Sequence, residues 1–336
     1  MTHSSDKPAP SRRRFIKTAA AAGLAAPALL RMRSALAAYP ERPVKIVVAN
    51  TPGGPSDLTA RVVAAALEQS TGRTFIVENR GGAGGNIGMG YVAHSEPDGY
   101  TILLATTAFS VNPGLYNKLP FDPHKDFVAV SDVAGAPNLF AVQKSSPAKT
   151  MKEFVALARA NPDKFNVSVP PIGTTPQLQA TLLKSRENLP KFEEVVFKGG
   201  GDALTALLSG TVQLASNSLG PSSPHMKAGT IRCLGICSEA RWPDFPDVPT
   251  MVEQGYKDFV FATDMALLAP AKTPPDMVKW LEAETLKVMS TPQMKERLFK
   301  SGFLVRPKGA AECWARMTHE MDVYRNIIDG AHIAKL

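Results

Sequence analysis

Residues 79–90 read NRGGAGGNIGMG, with five glycines among the eight positions 81–88, directly after the apolar run Thr74-Phe75-Ile76-Val77. A short β-rich run, a bare loop and a helix-forming stretch make one β-loop-α unit, and the same order stands immediately upstream. There Val44-Lys45-Ile46-Val47-Val48-Ala49 leads into Asn50-Thr51-Pro52-Gly53-Gly54-Pro55-Ser56-Asp57 and then a helical stretch with Leu58, Val62 and Leu67 toward one side. Pro55 at the first helical position and Asp57 in the first turn are N-terminal helix signals. Downstream, a helix is expected to run through Ile87 to about His94, followed by a strand at 100–105. Strands alternating with helices predict an α/β fold built on a mostly parallel sheet.

A second βα series starts near Asn138-Leu139-Phe140-Ala141-Val142. It continues through a helix at 150–160, a strand at 165–169, a Gly173-Thr174-Thr175 turn into helix 176–186, and a strand at 194–197. A Gly199-Gly200-Gly201 turn into helix 202–209 and strands at 211–216 and 231–237 complete it. The tail reads as three helices, the first after Thr273-Pro274, the second from Thr291-Pro292, and the third marked by Trp314, Met317, Met321, Tyr324 and Ile328 at steps of three or four. There are no internal repeats and no low-complexity linker. The expected organisation is two lobes joined by short crossings near 140 and 260, one formed by 38–140 with 262–336 and the other by 141–261.

Three occupants compete for the glycine loop. A dinucleotide needs G-x-G-x-x-G/A in the turn itself and an acid on the next strand. The single fit, Gly88-Met89-Gly90-Tyr91-Val92-Ala93, falls inside the expected helix, and the next strand ends Ala105-Thr106-Thr107 without an acid. A P-loop requires Gly-Lys-Ser/Thr, which occurs nowhere in the chain. The bland alternative is that the glycines only permit a tight turn and close helix–strand packing. Against it stands the matching loop at 51–54. If the first two strands are neighbours, both helix N-termini present free N–H groups and positive dipole ends at one sheet edge, where a small anion fits. A phosphate would recruit a base as well, and only Arg80 lies beside these loops. A carboxylate can be held by amides and hydroxyls alone, which favours it.

The N-terminus is read as an export signal. Ser11-Arg12-Arg13-Arg14-Phe15-Ile16-Lys17 matches the twin-arginine pattern, followed by a short alanine-rich apolar run at 18–30 and a small-residue site Ala35-Leu36-Ala37. Cleavage is expected after Ala37, with a periplasmic destination. Residues 1–37 carry seven Lys or Arg against the single acid Asp6, so +6 of the chain's formal +8 lies in the leader. The remaining chain has no concentrated basic face, which removes the argument for nucleic acid. An odd count of three cysteines leaves at least one thiol free. Cys233 and Cys237, four apart on one strand, would stand roughly 13 Å apart, beyond disulfide reach.

No catalytic constellation is visible. The six histidines show no H-x-x-x-H spacing and there is no G-x-S-x-G elbow. His124 reads as a surface-loop histidine. Neither enzyme activity, nor a metal, nor a cofactor is expected.

The chain resembles the periplasmic solute-binding proteins of tripartite tricarboxylate transporters, the TctC or Bug (Bordetella uptake gene) family. The resemblance rests on YPERPVKIVVANTPGGPSD (39–57), VENRGGAGGNIG (77–88), PDGYTILLATT (97–107), NPGLYNKLPFDPHKDF (112–127), FKGGGDALTALLSGTVQL (197–214), HMKAGTIRCLGI (225–236), FPDVPTMVEQGY (245–256) and LLAPAKTPP (267–275). It implies a two-lobed type II periplasmic-binding fold, of mixed, mostly parallel sheets flanked by helices, that closes like a flytrap and does no chemistry. It implies that main-chain amides of 51–57 and 80–88 grip one carboxylate, through Thr51, Pro52, Gly53, Gly54, Asp57, Ala83, Gly84, Gly85, Asn86 and Ile87. The second lobe would read the far end through Thr174, Thr175, Lys198, Gly199, Asn217 and Ser218, with Thr107 and Phe109 at the cleft floor. Two places depart from the family pattern. Asn217-Ser218 stands where Asp-Ser is usual, and Thr263-Asp264-Met265 stands where an aromatic often precedes the GLLAP motif. Both bear on the solute's identity, and Asp264 is either a cleft residue that repels a second carboxylate or a solvated loop acid. The implied partners are a small carboxylate solute and integral-membrane transporter subunits, with the chain itself a monomer. A receptor-signalling role uses the same binding lobe and is not separated from transport by these motifs; a hydrolase is the remaining, weaker alternative.

Overall fold

The computed structural model describes residues 39–257 and 259–336. The export signal read at 1–37 lies outside the described residues. By backbone contacts, Arg42–Leu336 forms one compact unit.

The glycine-loop reading holds at the level of elements. Strand β1 (Val44–Val48) leads into helix α1 (Pro55–Thr71), and β2 (Phe75–Asn79) leads through a single 3-10 turn (Ala83–Gly85) into α2 (Asn86–Ala93). Strand β3 (Thr101–Thr106) is followed by α3 (Ala108–Leu115), a short helix that the sequence reading does not include. The long strand β4 (Phe127–Gln143) precedes α4 (Met151–Ala160), β5 (Asn166–Val169), α5 (Thr175–Arg186), β6 (Glu193–Val196) and α6 (Gly200–Leu208). Then come β7 (Leu214–Ser218), α7 (Leu219–Lys227), β8 (Ile231–Cys237), β9 (Ala262–Pro270), α8 (Pro275–Met289), α9 (Pro292–Lys300), β10 (Leu304–Val305) and α10 (Ala310–Gly330).

The strands join in the order β2-β1-β3-β9-β4-β7-β5-β6, with β8 and β10 also on β4. The outer strands pair parallel, β1 with β2 and β3, and β5 with β6 and β7. Every pairing of β4 and β9 is antiparallel. The sheet is therefore mixed, as the resemblance implies, with the parallel pairings at its outer ends and the antiparallel ones at β4 and β9. The physical reason is β4 itself, seventeen residues and almost wholly buried, of which the sequence reading found only the end at 138–142. A strand covered on both faces reads as a continuous apolar run without alternation, and Ser131-Asp132 and Gly135-Ala136-Pro137 interrupt even that. Midway along, β4 changes partners: 127–137 pairs with β9 and 138–143 with β7 and β8.

One apolar cluster packs Val47, Leu103, Phe109, Phe127 and Leu268 beneath Met317 and Met321 of α10. Another gathers Phe140, Phe154, Val167, Leu178 and Phe259 with Tyr324 and Ile328 further along the same helix. The methionine and tyrosine positions read from the tail spacing are thus the buried stripe of α10. Cys233, Cys237 and Cys313 are free and buried. Burial raises the Cys233 thiol to about 12, so it is an inert apolar side chain.

Candidate functional site

The parallel pairing of β1 and β2 brings Val48 opposite Asn79, and the loops that follow start side by side. Each precedes a helix, so their amides point toward one region of the sheet edge. Two polar links tie the two units, Arg80 N–H donating to Val48 O at 2.8 Å and Asn79 Nδ2 to Asn50 O at 3.2 Å, and within the first loop Ser56 Oγ donates to Asn50 Oδ1 at 3.1 Å. A Cβ added at Gly88 would stand 2.6 Å from Arg80 O and 2.9 Å from Ala49 Cα. That glycine therefore serves close packing between α2 and the neighbouring loop.

The turn at 82–85 does something else. Gly82, Ala83, Gly84 and Gly85 all have positive φ, at 122°, 47°, 62° and 92°. Four consecutive residues in that region coil the chain so that α2 begins on Gly85 with no side-chain cap. The turn is held from behind by Asn112 of α3, whose Nδ2 donates to Gly84 O at 3.0 Å and to Asn86 Oδ1 at 2.8 Å.

In the first loop, Gly53 has φ of 83° and donates its N–H to Asp57 Oδ2 at 2.9 Å. Asp57 is 3% exposed and also pairs with Arg61 at 2.9 Å. Burial works against its ionised form, but the Gly53 amide, Arg61 and Asn79 outweigh it and hold the carboxyl below its ordinary range. The structure thus gives Asp57 a loop-shaping task, the one an N-terminal carboxylate performs for orphan amides. Arg80 is engaged too: it pairs with Glu78 and lies 3.6 Å over the Tyr91 ring. Glu78 in turn holds Lys45 at 2.7 Å. The base that a phosphate would recruit is thereby committed elsewhere.

The predicted residues of the second series converge only in part. Thr175 Oγ1 donates to Ala262 O at 3.0 Å, and Thr107 Oγ1 donates to the same oxygen at 3.1 Å. Thr107 Oγ1 also accepts the Asp264 N–H at 2.7 Å. Gly173, with φ of 89°, approaches Asn112 so closely that a Cβ there would stand 2.9 Å from Oδ1. Through Ala262 and Asn112, therefore, the 173–175 loop meets the side of the molecule that carries the first two loops. Thr174 caps its own turn, its Oγ1 donating to Pro171 O at 2.8 Å. Asn217 is buried and braces α6 and α7 together, Nδ2 donating to Gly200 O at 2.7 Å and Oδ1 accepting the Ser218 N–H at 2.9 Å. Gly199 and Ser218 are the residues before α6 and α7, and Lys198 beside them is exposed.

Two placements differ from the reading at the cleft. Phe109 is fully buried, with its ring 5.0 Å from Phe127 and stacked at 6.0 Å on Phe121. It is a core side chain, because the helical turn from Thr107 rotates it onto the apolar face of α3. Asp264 is neither a solvated loop acid nor an isolated carboxylate. Its oxygens lie 3.8 Å from Arg316 and 3.9 Å from Arg306. Arg316 also binds Asp132 in a bidentate pair and Glu320 at 2.5 Å, and Ser110 donates to Glu320 at 3.0 Å. Burial pushes the Asp264 and Glu320 carboxyls up, against the pull of Arg316. For Arg316, burial alone would lower the value; Asp132, Glu320 and Asp264 reverse it.

The sequence reading missed Asn112, Asp132, Arg316 and Glu320. Asn112 was within reach as the first residue of the NPGLY motif, but its partners lie at 84, 86 and 173. Surface cavities of about 610 Å³, beside Leu182, Val260 and Ile327, and about 260 Å³, beside Phe165 and Pro190, are lined by none of the predicted residues. The candidate site is thus defined by its loops. Among the described residues no group of three His, Cys, Asp or Glu could hold a metal, and no helix is long and apolar enough to cross a membrane.

The chain is similar to known proteins over most of its length. The sequence model of the tripartite tricarboxylate transporter family receptor, TctC, matches residues 59–330. Among solved structures, the periplasmic binding protein BugD superposes with a TM-score of 0.82 at 30% identity, over 89% of this chain and all of that one. Rpa4515 of R. palustris, solved with adipate, gives 0.83 at 30% identity over 89% of this chain and all of that one. MatC of Rhodopseudomonas palustris, solved with malate, gives 0.80 at 29% identity over 86% of this chain and all of that one.

Proposed function

The chain belongs to the tripartite tricarboxylate transporter receptor family and is a periplasmic solute-binding protein, not an enzyme; from that premise we propose how it holds its solute. One carboxylate of a small solute sits on main-chain amides of 51–54 and 83–87, at the starts of α1 and α2, other than those of Gly53, Gly85 and Asn86, which are donated to Asp57 Oδ2, Gly82 O and Ala83 O, and Pro52, which carries no N–H. The observation that carries this is the pair of linked loops with positive-φ glycines whose neighbouring cations are committed: Arg61 pairs with Asp57, and Arg80 pairs with Glu78 and lies over Tyr91. Such a grip suits a singly charged group held by N–H donors. Adipate and malate in the related structures are solutes of that chemistry.

Residues 38–140 with 262–336 form one lobe and 141–261 the other, and the solute is enclosed by hinge closure between them. The exchange of partners along β4 at 137–138 and the start of β9 at Ala262 support crossings at those points. The loops at 173–175, 198–199 and 217–218 then face the solute's far end. The filled protein is delivered to the integral-membrane subunits of a tripartite transporter after export by the twin-arginine route. The test is a thermal-shift panel of mono-, di- and tricarboxylates on residues 38–336. A solute at 100 times its Kd stabilises the folded state by roughly 2.7 kcal/mol. A panel in which no carboxylate shifts the melting temperature removes the reading.

A further inference from the structure

The Ala83–Gly85 turn is a costly piece of backbone. A non-glycine residue, Ala83, and three glycines occupy the left-handed half of φ space in succession, and no side chain caps the helix that follows. What holds it is a side chain from another element, Asn112, which is 0% exposed. Both hydrogens of its amide are engaged, on Gly84 O and Asn86 Oδ1. Because both partners are acceptors, the amide cannot be turned over without setting oxygen against oxygen. Its Oδ1 must therefore face the other way, and there it is buried without a hydrogen-bond partner. The neighbour on that side is Gly173, whose missing Cβ is what lets the 171–175 loop come so near. Leu115, on the same helix as Asn112, lines the other side of that approach, 3.6 Å from the same Cβ position.

We propose that Asn112 is a positioning residue that couples the carboxylate grip to the Gly173 loop: the loop's approach on Oδ1 fixes the amide, and the amide's other face fixes the Ala83–Gly85 turn. The proposal rests on the solute-binding reading for its purpose, but not for its test. An unpartnered buried acceptor is sensitive to whatever presses on it, while its two donors transmit any rotation to Gly84 and Asn86 without play. The grip is then completed when the two loops meet, and a solute that orders one loop orders the other.

The experiment needs no solute. Amide hydrogen exchange at 84–88 is measured on residues 38–336 for the native protein, for Asn112→Ala, for Gly173→Ala and for the double variant. Gly173→Ala is expected to speed exchange at 84–88 at least threefold, although Gly173 is not in contact with that turn, and to have no such effect once Asn112 is alanine. Melting temperatures are expected to show the same coupling: the strain a side chain meets at φ of 89° remains in both backgrounds but the clash with Oδ1 does not, so the Gly173→Ala loss is smaller in the Asn112→Ala background. Exchange at 84–88 indifferent to Gly173→Ala, or additive melting losses, overturns the proposal whether or not any carboxylate binds. Should Asn112→Ala fail to fold, Asn112→Asp keeps the shape and removes the donors, and is expected to speed exchange at 84–88 while leaving α8 unchanged; uniform acceleration across both overturns it.

Discussion

Thr107, just after β3, and Thr175, after β5, donate to one carbonyl oxygen, that of Ala262, at 3.1 and 3.0 Å. Ala262 is the first residue of β9, where the chain returns to the side carrying β1 to β3. Replacing either threonine with valine keeps the shape and leaves one donor on the oxygen; Thr175→Val is expected to cost about 0.5–1.5 kcal/mol, and Thr107→Val more, because the Asp264 N–H loses its acceptor as well. The double variant strips both donors and is expected to lose more than the sum, by about 1 kcal/mol or more. Urea unfolding of the four proteins measures this; simple additivity would mean the two hydroxyls act separately.

Gly85 has φ of 92° and Gly88 has no room for a side chain against Arg80 O. Gly85→Val is expected to cost about 1–3 kcal/mol of stability through backbone strain and to weaken every bound carboxylate alike. Asn217→Asp removes the donor to Gly200 O but leaves the first two loops untouched. It is expected to reorder preference among carboxylates instead. Calorimetric titration over a set of solutes distinguishes the two patterns.

Asp57 shapes the first loop through the Gly53 amide and Arg61. Asp57→Ala is expected to cost about 1 kcal/mol, as other N-terminal caps do, and to lower carboxylate affinity by about tenfold because the loop amides lose their alignment. Its carboxyl is held below the ordinary range, so its contribution is present above the unfolded value and is lost as pH falls through the folded one. The acid limb of a stability profile should therefore move in Asp57→Ala, and an unmoved limb would contradict this account.

Arg316 faces three buried carboxylates, Asp132, Asp264 and Glu320. Arg316→Met leaves Asp132 and Glu320 without this cation and Asp264 with Arg306 at 3.9 Å, and is expected to cost about 3–5 kcal/mol near neutral pH. Asp264 and Glu320 already sit above the ordinary carboxylate range through burial. For such groups the folded state holds more protons than the unfolded state between the two values, so stability rises as pH falls through that window and is lost as pH rises. The variant is expected to recover part of its loss in mildly acidic buffer, read by chemical unfolding at several pH values. A loss independent of pH would point to packing alone.

The loops at 51–54 and 81–88 were legible because their signals are local. Apolar strands, positive-φ glycines and Pro55 at a helix start are written in consecutive residues, and the parallel pairing of β1 and β2 follows from the strand–helix alternation. Phe109 was misread because proximity to Thr107 says nothing about which way a short helix turns it. The surroundings of Asp264 could not be read either, since Arg316 reaches it from a helix some fifty residues on.

The sequence by itself therefore determined the α/β order, the two adjacent glycine loops and the family, because each rests on neighbours along the chain. Only the tertiary structure decided which polar groups remain to meet a solute. Asp57 and Arg80 are engaged within the protein, Asp264 is locked in an ion cluster, and Asn112 lies between the Ala83–Gly85 turn and Gly173. A hydrogen-bonding group has no fixed partner until the chain folds, and its partner, not its identity, decides what it can bind.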